Sequence, residues 1–133
     1  MLKLEHIGIA VKDINAAIPL FEKLLDSACY KTEIVEREQV KTAFFQAGAT
    51  KIELLESLTP DGVIAKFIHR KSEGIHHLAF EVTDIVAEMQ RLKDDGFTLL
   101  NDKPLPGADN KLVCFLHPKA TNNVLIELCM ERK

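Results

Sequence analysis

The stretch His6-Ile-Gly-Ile-Ala-Val-Lys-Asp-Ile14 returns 71 positions later as His77-Leu-Ala-Phe-Glu-Val-Thr-Asp-Ile85. Both copies alternate bulky and small side chains, which predicts a strand, and both end at an aspartate suited to cap a following helix. A proline at position 19 predicts an irregular or kinked start to the first helix. The elements predicted from this stretch are strands over 4–11 and 75–82 and helices over about 13–25 and 84–94.

The repeat continues through the rest of each half. Phe44 and Phe115 lie in matching stretches at the same spacing, and Ile52-Glu-Leu-Leu55 returns 74 positions later as Ile126-Glu-Leu-Cys129. The three additional residues fall in a predicted loop over 118–123, where an insertion is tolerated. Each half is too small to hold a hydrophobic core alone, so we expect the two halves to pack as pseudo-symmetric partners.

Each half is predicted to run as one strand, one helix and three further strands, an α+β arrangement. Apolar residues on one helical face predict a connecting helix over about 60–71. We expect a single domain over 1–133, with module 1 over about 1–58 and module 2 over about 74–133. The further strands are predicted over 32–38, 41–47, 51–56, 97–100, 112–117 and 124–130.

Composition excludes several function classes. Of the 133 residues, 47% are hydrophobic and 28% are charged, which is typical of a globular protein. A formal net charge of −3 lacks the basic excess expected of a nucleic-acid binder. No apolar run approaches the roughly 18 residues of a membrane span, and the first residues resemble no targeting peptide. We therefore expect a cytoplasmic protein with neither a nucleic-acid nor a membrane partner.

The cysteines predict no disulfide framework. Cys29, Cys114 and Cys129 are odd in number and none has a close partner in the sequence. Cys114 and Cys129 lie within apolar runs, which predicts that they are small buried hydrophobic residues.

Strand alternation singles out one histidine and one glutamate in each half. His6 shares the less bulky face of its strand with small residues, and the same alternation assigns His77, not His76, to that face. In the later strands, Glu53 and Glu127 each lie opposite apolar neighbours.

Two imidazoles and two carboxylates suit a divalent cation such as Co²⁺, Mn²⁺, Ni²⁺, Fe²⁺ or Zn²⁺, and leave coordination positions open for substrate or water. The two carboxylates would also neutralise one dication. Taken singly, such a histidine is also compatible with an ordinary exposed or hydrogen-bonded residue, and such a glutamate with the solvent face of an edge strand. The coincidence of all four at corresponding positions favours the metal site.

Six motifs spread in order over nearly the whole chain carry a family resemblance. They are His6-Ile-Gly-Ile-Ala-Val11, Ile52-Glu-Leu-Leu-Glu56, Ile64-Ala-Lys-Phe67, Gly74-Ile-His-His-Leu-Ala79, Phe115-Leu-His-Pro-Lys119 and Val124-Leu-Ile-Glu-Leu128. The chain resembles the vicinal-oxygen-chelate superfamily and, within it, the methylmalonyl-CoA epimerases. The resemblance implies a glyoxalase-like fold, in which two tandem βαβββ modules form a curled mixed sheet around a metal-binding cleft. It implies metal ligands at His6, Glu53, His77 and Glu127, with Co²⁺ as the preferred ion.

The resemblance also implies a reaction, which interconverts (2R)- and (2S)-methylmalonyl-CoA by moving the proton at C2 through a metal-stabilised enolate. Glu127 is assigned as one acid/base, and Glu53, across the pseudo-two-fold axis, as the second. Some epimerases carry a separate catalytic glutamate at the position of Thr42, which is no base at neutral pH. Asn122-Asn123 replaces a Gly-Gly pair and Asp109-Asn110 replaces a Gly-rich turn, and both pairs tolerate left-handed backbone.

Further expectations concern the substrate and the assembly. Lys66, Arg70, Lys71 and Lys119 are candidates to meet the phosphates of a CoA thioester, although each also fits ordinary solvated charge. His117 is a candidate substrate contact or a strand-end residue. The resemblance further implies a homodimer.

Three other functions remain open from the sequence. A glyoxalase I-type lactoylglutathione lyase shares the ligand set. A non-enzymatic small-molecule-binding member of the superfamily would typically lack the full set. An iron dioxygenase normally uses two histidines and one carboxylate.

Overall fold

The α+β fold class and the duplicated βαβββ order are confirmed by the computed structural model, which describes residues 2–132. The first half contains β1 (Lys3–Ala10), α1 (Ile14–Leu25), β2 (Lys31–Val35), β3 (Val40–Ala47) and β4 (Thr50–Ser57). The connecting helix is α2 (Val63–Lys71). The second half contains β5 (Gly74–Glu81), α3 (Ile85–Asp94), β6 (Leu105–Pro106), β7 (Lys111–Leu116), a 3-10 turn (Pro118–Ala120) and β8 (Ile126–Glu131).

The chain divides into two compact units with the same strand topology. The first unit spans His6–His76, and the second combines the segment through Glu5 with the chain from His77 onward. In the first unit the strand order is β2-β3-β4-β1, and in the second it is β6-β7-β8-β5. In each unit the strand before the helix pairs in parallel with the last strand, whereas the other pairs are antiparallel. Strands β1 and β5 each contribute residues to both units.

Both predicted helix caps are present. The Asp13 carboxylate accepts hydrogen bonds from the backbone N–H groups of Asn15 at 3.0 Å and Ala16 at 3.3 Å. The Asp84 carboxylate accepts one from the Ala87 N–H at 3.1 Å. These bonds satisfy donors that the first helical turn leaves without a partner, so each helix begins where the repeat predicts.

Helices α1 and α3 each pack on one face of the strands of their own unit. In the first unit, α1 covers a core that includes Ile14, Phe45 and Leu54, with Ile9 packed against it. In the second unit, α3 covers a core that includes Ile85 and Leu128. The helix therefore occupies the bulky face in both units and leaves the opposite face for other groups. Among the described residues, no helix is long and apolar enough to cross a membrane.

The irregular start predicted for α1 is wrong, because the helix runs unbroken from Ile14 through Pro19. Pro19 removes the hydrogen bond that its backbone nitrogen would give to the Asn15 carbonyl. Both residues lie on the exposed side of the helix, where water can serve that carbonyl. The Ile14 N–H also donates to the Glu56 carboxylate at 2.6 Å, which further fixes the start of the helix.

The strand predicted over 97–100 is also wrong. This segment makes a single isolated bridge, between Leu99 and Leu116, and the short edge strand lies later, at Leu105–Pro106. Beyond the bridge, the Asn101 side-chain oxygen accepts from the Phe115 N–H at 2.9 Å. A side chain thus takes the place of the next strand–strand hydrogen bond, and the ladder ends there.

Smaller boundary differences follow from turns. The predicted strand over 32–38 ends at Val35, because the chain turns before β3 with Gln39 at a φ of 54°. The connecting helix begins at Val63, after a turn in which the Gly62 N–H donates to the Thr59 carbonyl at 3.3 Å. The last strand begins at Ile126, two residues later than predicted, because the turn before it extends through Asn123.

Replacing Asp84 by alanine is expected to lower the free energy of unfolding by about 1 kcal/mol, because the Ala87 N–H loses its acceptor. Asp84→Asn is the matched control and should lose much less, since asparagine is an equally good cap. Urea unfolding followed by circular dichroism measures both variants. An equal loss in the two variants would contradict the capping role.

Candidate functional site

The glutamate of the first unit is held in the middle of its sheet. Glu53 on β4 lies in register with Gly8 on β1 and with Phe44 on β3. Its side chain is buried, with 4% of the residue exposed, and its Oε2 lies 3.2 Å from Nδ1 of His6. His6 is itself 5% exposed. The residues predicted from the first half of the repeat are therefore brought together as a buried imidazole–carboxylate pair.

The second unit contains a corresponding pair, in which the histidine faces the glutamate through its other ring nitrogen. Glu127 on β8 lies in register with Ala79 on β5 and with Phe115 on β7. Its Oε1 lies 3.3 Å from Nε2 of His77, and both residues are buried. The His77 ring stands edge-on to the Phe115 ring, with the ring centres 6.0 Å apart. Gly8 and Ala79 are equivalent in the repeat, as are Phe44 and Phe115, so the two pairs share one structural context.

Both histidine–glutamate pairs are buried, which makes the charge of their carboxylates costly. An ionised carboxylate taken from water into a protein interior is strongly destabilised unless hydrogen bonds or opposite charges compensate it. Glu53 lies on the strand face opposite to α1, and Glu127 lies on the strand face opposite to α3. Each glutamate faces an imidazole nitrogen. Within a unit, one nitrogen donor and one oxygen donor are thus available to a cation.

Phe44 and Phe115 belong to the site although sequence reasoning did not select them. Each is the cross-strand neighbour of a buried glutamate, Phe44 of Glu53 and Phe115 of Glu127. The Lys31 ammonium lies over the Phe44 ring, 4.5 Å from the ring centre, in a cation–π contact. The signal that could have found them is their recurrence at the spacing of the histidines.

Thr42 is a second residue whose importance the sequence understated. It is 1% exposed, and its hydroxyl oxygen has no hydrogen-bond partner among the described residues. It lies on β3 two residues before Phe44, and therefore on the same face as Glu53. Its equivalent in the second unit is Val113, which lies in an apolar cluster with Ala79 and Cys129.

Lys111 is a third such residue. It is 5% exposed at the start of β7, and its ammonium lies 3.7 Å from the exposed carboxylate of Glu131. Nothing in its sequence context distinguishes it from the surface lysines.

His76 lies outside the buried pairs, as the strand alternation predicts. Its ring packs edge-on against Phe67 on α2, with the ring centres 4.9 Å apart. Burial, and secondarily the neighbouring Arg70 charge, lowers the pKa of His76 to about 4. The imidazole is therefore neutral at neutral pH and acts as a packing group between β5 and α2.

The candidate substrate contacts lie in three different settings. His117 precedes the 3-10 turn, where its Nδ1 accepts a hydrogen bond from the Lys119 N–H at 3.0 Å and so caps that turn. Lys119 is exposed within the same turn, and Lys66 is exposed on α2 in the other unit. Arg70 and Lys71 are exposed in the last turn of α2.

The polar turn residues adopt the backbone expected of them. Asn122 and Asn123 have φ values of 53° and 71°. Asp109 and Asn110 have φ values of 58° and 53°. Tight left-handed turns therefore form without glycine, as predicted.

Residues 5–115 match the Glyoxalase/Bleomycin resistance protein/Dioxygenase superfamily. The chain belongs to this superfamily. The resemblance inferred from the six motifs is confirmed, together with the glyoxalase-like fold.

Individual superfamily members are similar over nearly their whole length. An uncharacterised protein of Bacillus subtilis, YqjC, is 42% identical over 97% of this chain and 92% of its own. An ethylmalonyl-CoA/methylmalonyl-CoA epimerase of Cereibacter sphaeroides is 38% identical over 95% of this chain and 96% of its own. A variant of Streptomyces coelicolor methylmalonyl-CoA epimerase, solved with 2-nitronate-propionyl-CoA, is 31% identical with a TM-score of 0.92 and 98% coverage of both chains.

The two buried cysteines are unsuited to nucleophilic chemistry. Cys114 and Cys129 are fully buried, as predicted. Burial raises the pKa of the Cys114 thiol to about 11. Burial, reinforced by the Glu127 and Glu5 carboxylates, also raises the pKa of the Cys129 thiol. Because the reactive species of cysteine is the thiolate, neither group offers a nucleophile at neutral pH.

Iodoacetamide at about pH 8 is expected to modify the native protein at Cys29, which is partly exposed, and to spare Cys114 and Cys129. Peptide mass spectrometry measures the modified fraction at each position. Urea-denatured protein is the control and should be modified at all three cysteines. Rapid native modification of Cys129 would show that this thiol is more accessible than its burial implies.

Proposed function

We propose that this chain is a metal-dependent epimerase that interconverts (2R)- and (2S)-methylmalonyl-CoA by proton transfer at C2. The observation that carries the proposal is the buried histidine–glutamate pair, present once in each unit at equivalent positions. Similarity to epimerases that act on methylmalonyl-CoA supports the choice of reaction and substrate. We further propose that the two modules form one domain and that the chain assembles as a homodimer in the cytoplasm.

The donor set fits a divalent metal ion. We propose that His6, Glu53, His77 and Glu127 together hold one ion. Imidazole nitrogens with carboxylate oxygens suit first-row ions such as Co²⁺. When bound, such an ion supplies Lewis acidity that stabilises negative charge developing on the thioester oxygen.

The proton transfers are assigned to the two glutamates. In this proposal, the Glu127 carboxylate removes the C2 proton from one epimer, which leaves a planar carbon next to the thioester carbonyl. Glu53, in its carboxylic acid form, delivers a proton to the opposite face of that carbon. In the reverse direction the two residues exchange roles. Phe44 and Phe115, which flank the two glutamates in register, limit the access of water to the carboxylates.

The remaining parts of the ligand are assigned to the surface cations. Lys66 and Lys119 are exposed and positively charged, and we propose that they meet phosphates of a CoA thioester. His117 is proposed to contact the substrate while it caps its own turn. Structures of methylmalonyl-CoA epimerases with CoA thioesters support a ligand of this class.

Purified protein loaded with Co²⁺ is expected to introduce deuterium at C2 of either methylmalonyl-CoA epimer in D₂O, and to convert each into the other. Treatment with a chelator should abolish both signals, and added Co²⁺ should restore them. Proton NMR measures the exchange, and chiral analysis of the acyl group measures the inversion. Methylglyoxal with glutathione is the control substrate. Turnover of this control, without exchange of either epimer, would favour the lactoylglutathione lyase instead.

Glu127→Gln and Glu53→Gln are each expected to reduce inversion by at least about 100-fold, the usual contribution of a general acid or base. Glutamine keeps an oxygen donor but moves no proton, so each variant should retain deuterium exchange of at most one epimer. The two variants should retain opposite epimers, since the glutamates serve opposite faces. Inversion by Glu127→Gln at the wild-type rate would show that the base is misassigned.

A further inference from the structure

We propose that the Thr42 hydroxyl is a ligand-binding group, which donates a hydrogen bond to an acceptor oxygen of the acyl part of the substrate. This inference rests on the proposed function, because it assigns one further contact to the same site. A buried hydroxyl with no partner costs roughly 1–3 kcal/mol, and Thr42 Oγ1 is such a group within residues 2–132.

The position of Thr42 directs it toward the site. In the register of β3 and β4, Phe44 lies opposite Glu53 and Thr42 lies opposite Leu55. Cross-strand neighbours and residues two apart on a strand share a face, so Thr42 and Glu53 do so. Diagonal neighbours of this kind are roughly 7–8 Å apart, close enough for one small acyl group to contact both.

The nearest polar neighbour in the sheet does not explain the hydroxyl. On the other side of β3, Thr42 lies opposite Glu33 of β2. The Glu33 carboxylate lies 3.7 Å from the Lys31 ammonium and makes no hydrogen bond with Thr42. Among the described residues, no hydrogen bond of the hydroxyl accounts for its burial.

The other half of the repeat supplies an internal comparison. Val113 occupies the equivalent position, and it packs in an apolar cluster with Ala79 and Cys129. A β-branched apolar side chain is thus accommodated at this point of the scaffold. Valine and threonine have nearly the same shape, so the two units differ here by a methyl group in place of a hydroxyl.

This asymmetry matches the demands of the ligand. The first unit has a hydroxyl where the second has a methyl group, and a methylmalonyl group is likewise unequal, with a thioester at one end and a carboxylate at the other. The Thr42 hydroxyl of the first unit can bind one of these ends, because both ends of the acyl group offer acceptor oxygens.

The test compares Thr42→Val, which removes the hydroxyl at constant shape, with Thr42→Ser, which keeps it. Because Thr42→Val removes an unpaired buried polar group, the free protein should melt at the wild-type temperature or above it. In the Co²⁺-loaded protein the same variant should raise the KM for methylmalonyl-CoA about tenfold, with kcat within about threefold of wild type. Thr42→Ser should keep a KM near that of wild type.

Val113→Thr is the matched control, since it makes the reverse exchange in the unit without the proposed contact. It should lower the melting temperature, because a hydroxyl enters an apolar cluster. A fall in the melting temperature of Thr42→Val comparable to that of Val113→Thr would overturn the proposal, because it would reveal a structural partner for the hydroxyl. An unchanged KM, or a loss of kcat alone, would also overturn it.

The outcomes separate this inference from the proposed function. If the wild-type protein epimerises methylmalonyl-CoA and Thr42→Val does so with the same KM, only the role of Thr42 fails. If the wild-type protein neither binds nor exchanges the thioester, both fail together.

Discussion

A carboxylate buried beside an imidazole, once in each half of the chain, is the interaction on which the rest of this structure depends. Glu53 and Glu127 are 4% and 6% exposed, and a charged group at such depth is costly unless something compensates it. The nearby nitrogens of His6 and His77 supply part of that compensation. A divalent ion would supply more, and its binding energy would stabilise the folded state over the unfolded one. Stability and chemistry would then be properties of the same four side chains.

The sheet register is what makes this pairing reproducible. Each glutamate lies between a small residue on the parallel neighbour and a phenylalanine on the antiparallel neighbour. A slip of one residue would turn each glutamate toward the helix side and place an apolar residue in its position. The packing of α1 and α3 on the opposite faces resists such a slip, because Leu54 and Leu128 lie in their cores. Helices α1 and α3 thus position the site from the opposite face of the strands.

Much of this could be predicted from the sequence, because duplication doubles weak signals. A single histidine at the start of a strand carries little information, but its recurrence as His77 together with an equivalent glutamate identifies a face. The helix caps at Asp13 and Asp84 followed from the same comparison. The secondary-structure prediction failed where a contact between distant residues or exposure to solvent decides where an element ends. The Asn101 side chain ends a ladder that local propensity would continue, and solvent access to the Asn15 carbonyl lets α1 pass through Pro19. The sequence shows only that Thr42 is no base. The burial of its hydroxyl without a hydrogen-bond partner among the described residues is visible only in three dimensions.

The division of β1 and β5 between the two units has a consequence for truncated forms of the chain. The two copies of the repeat begin at His6 and His77, which are also the residues at which the compact units divide the chain. The first three residues of β1 and of β5 therefore belong to the unit that does not contain the rest of their strand. A cut between α2 and β5 would separate each unit from three of its own strand residues. An isolated half of this chain is thus not equivalent to a complete compact unit.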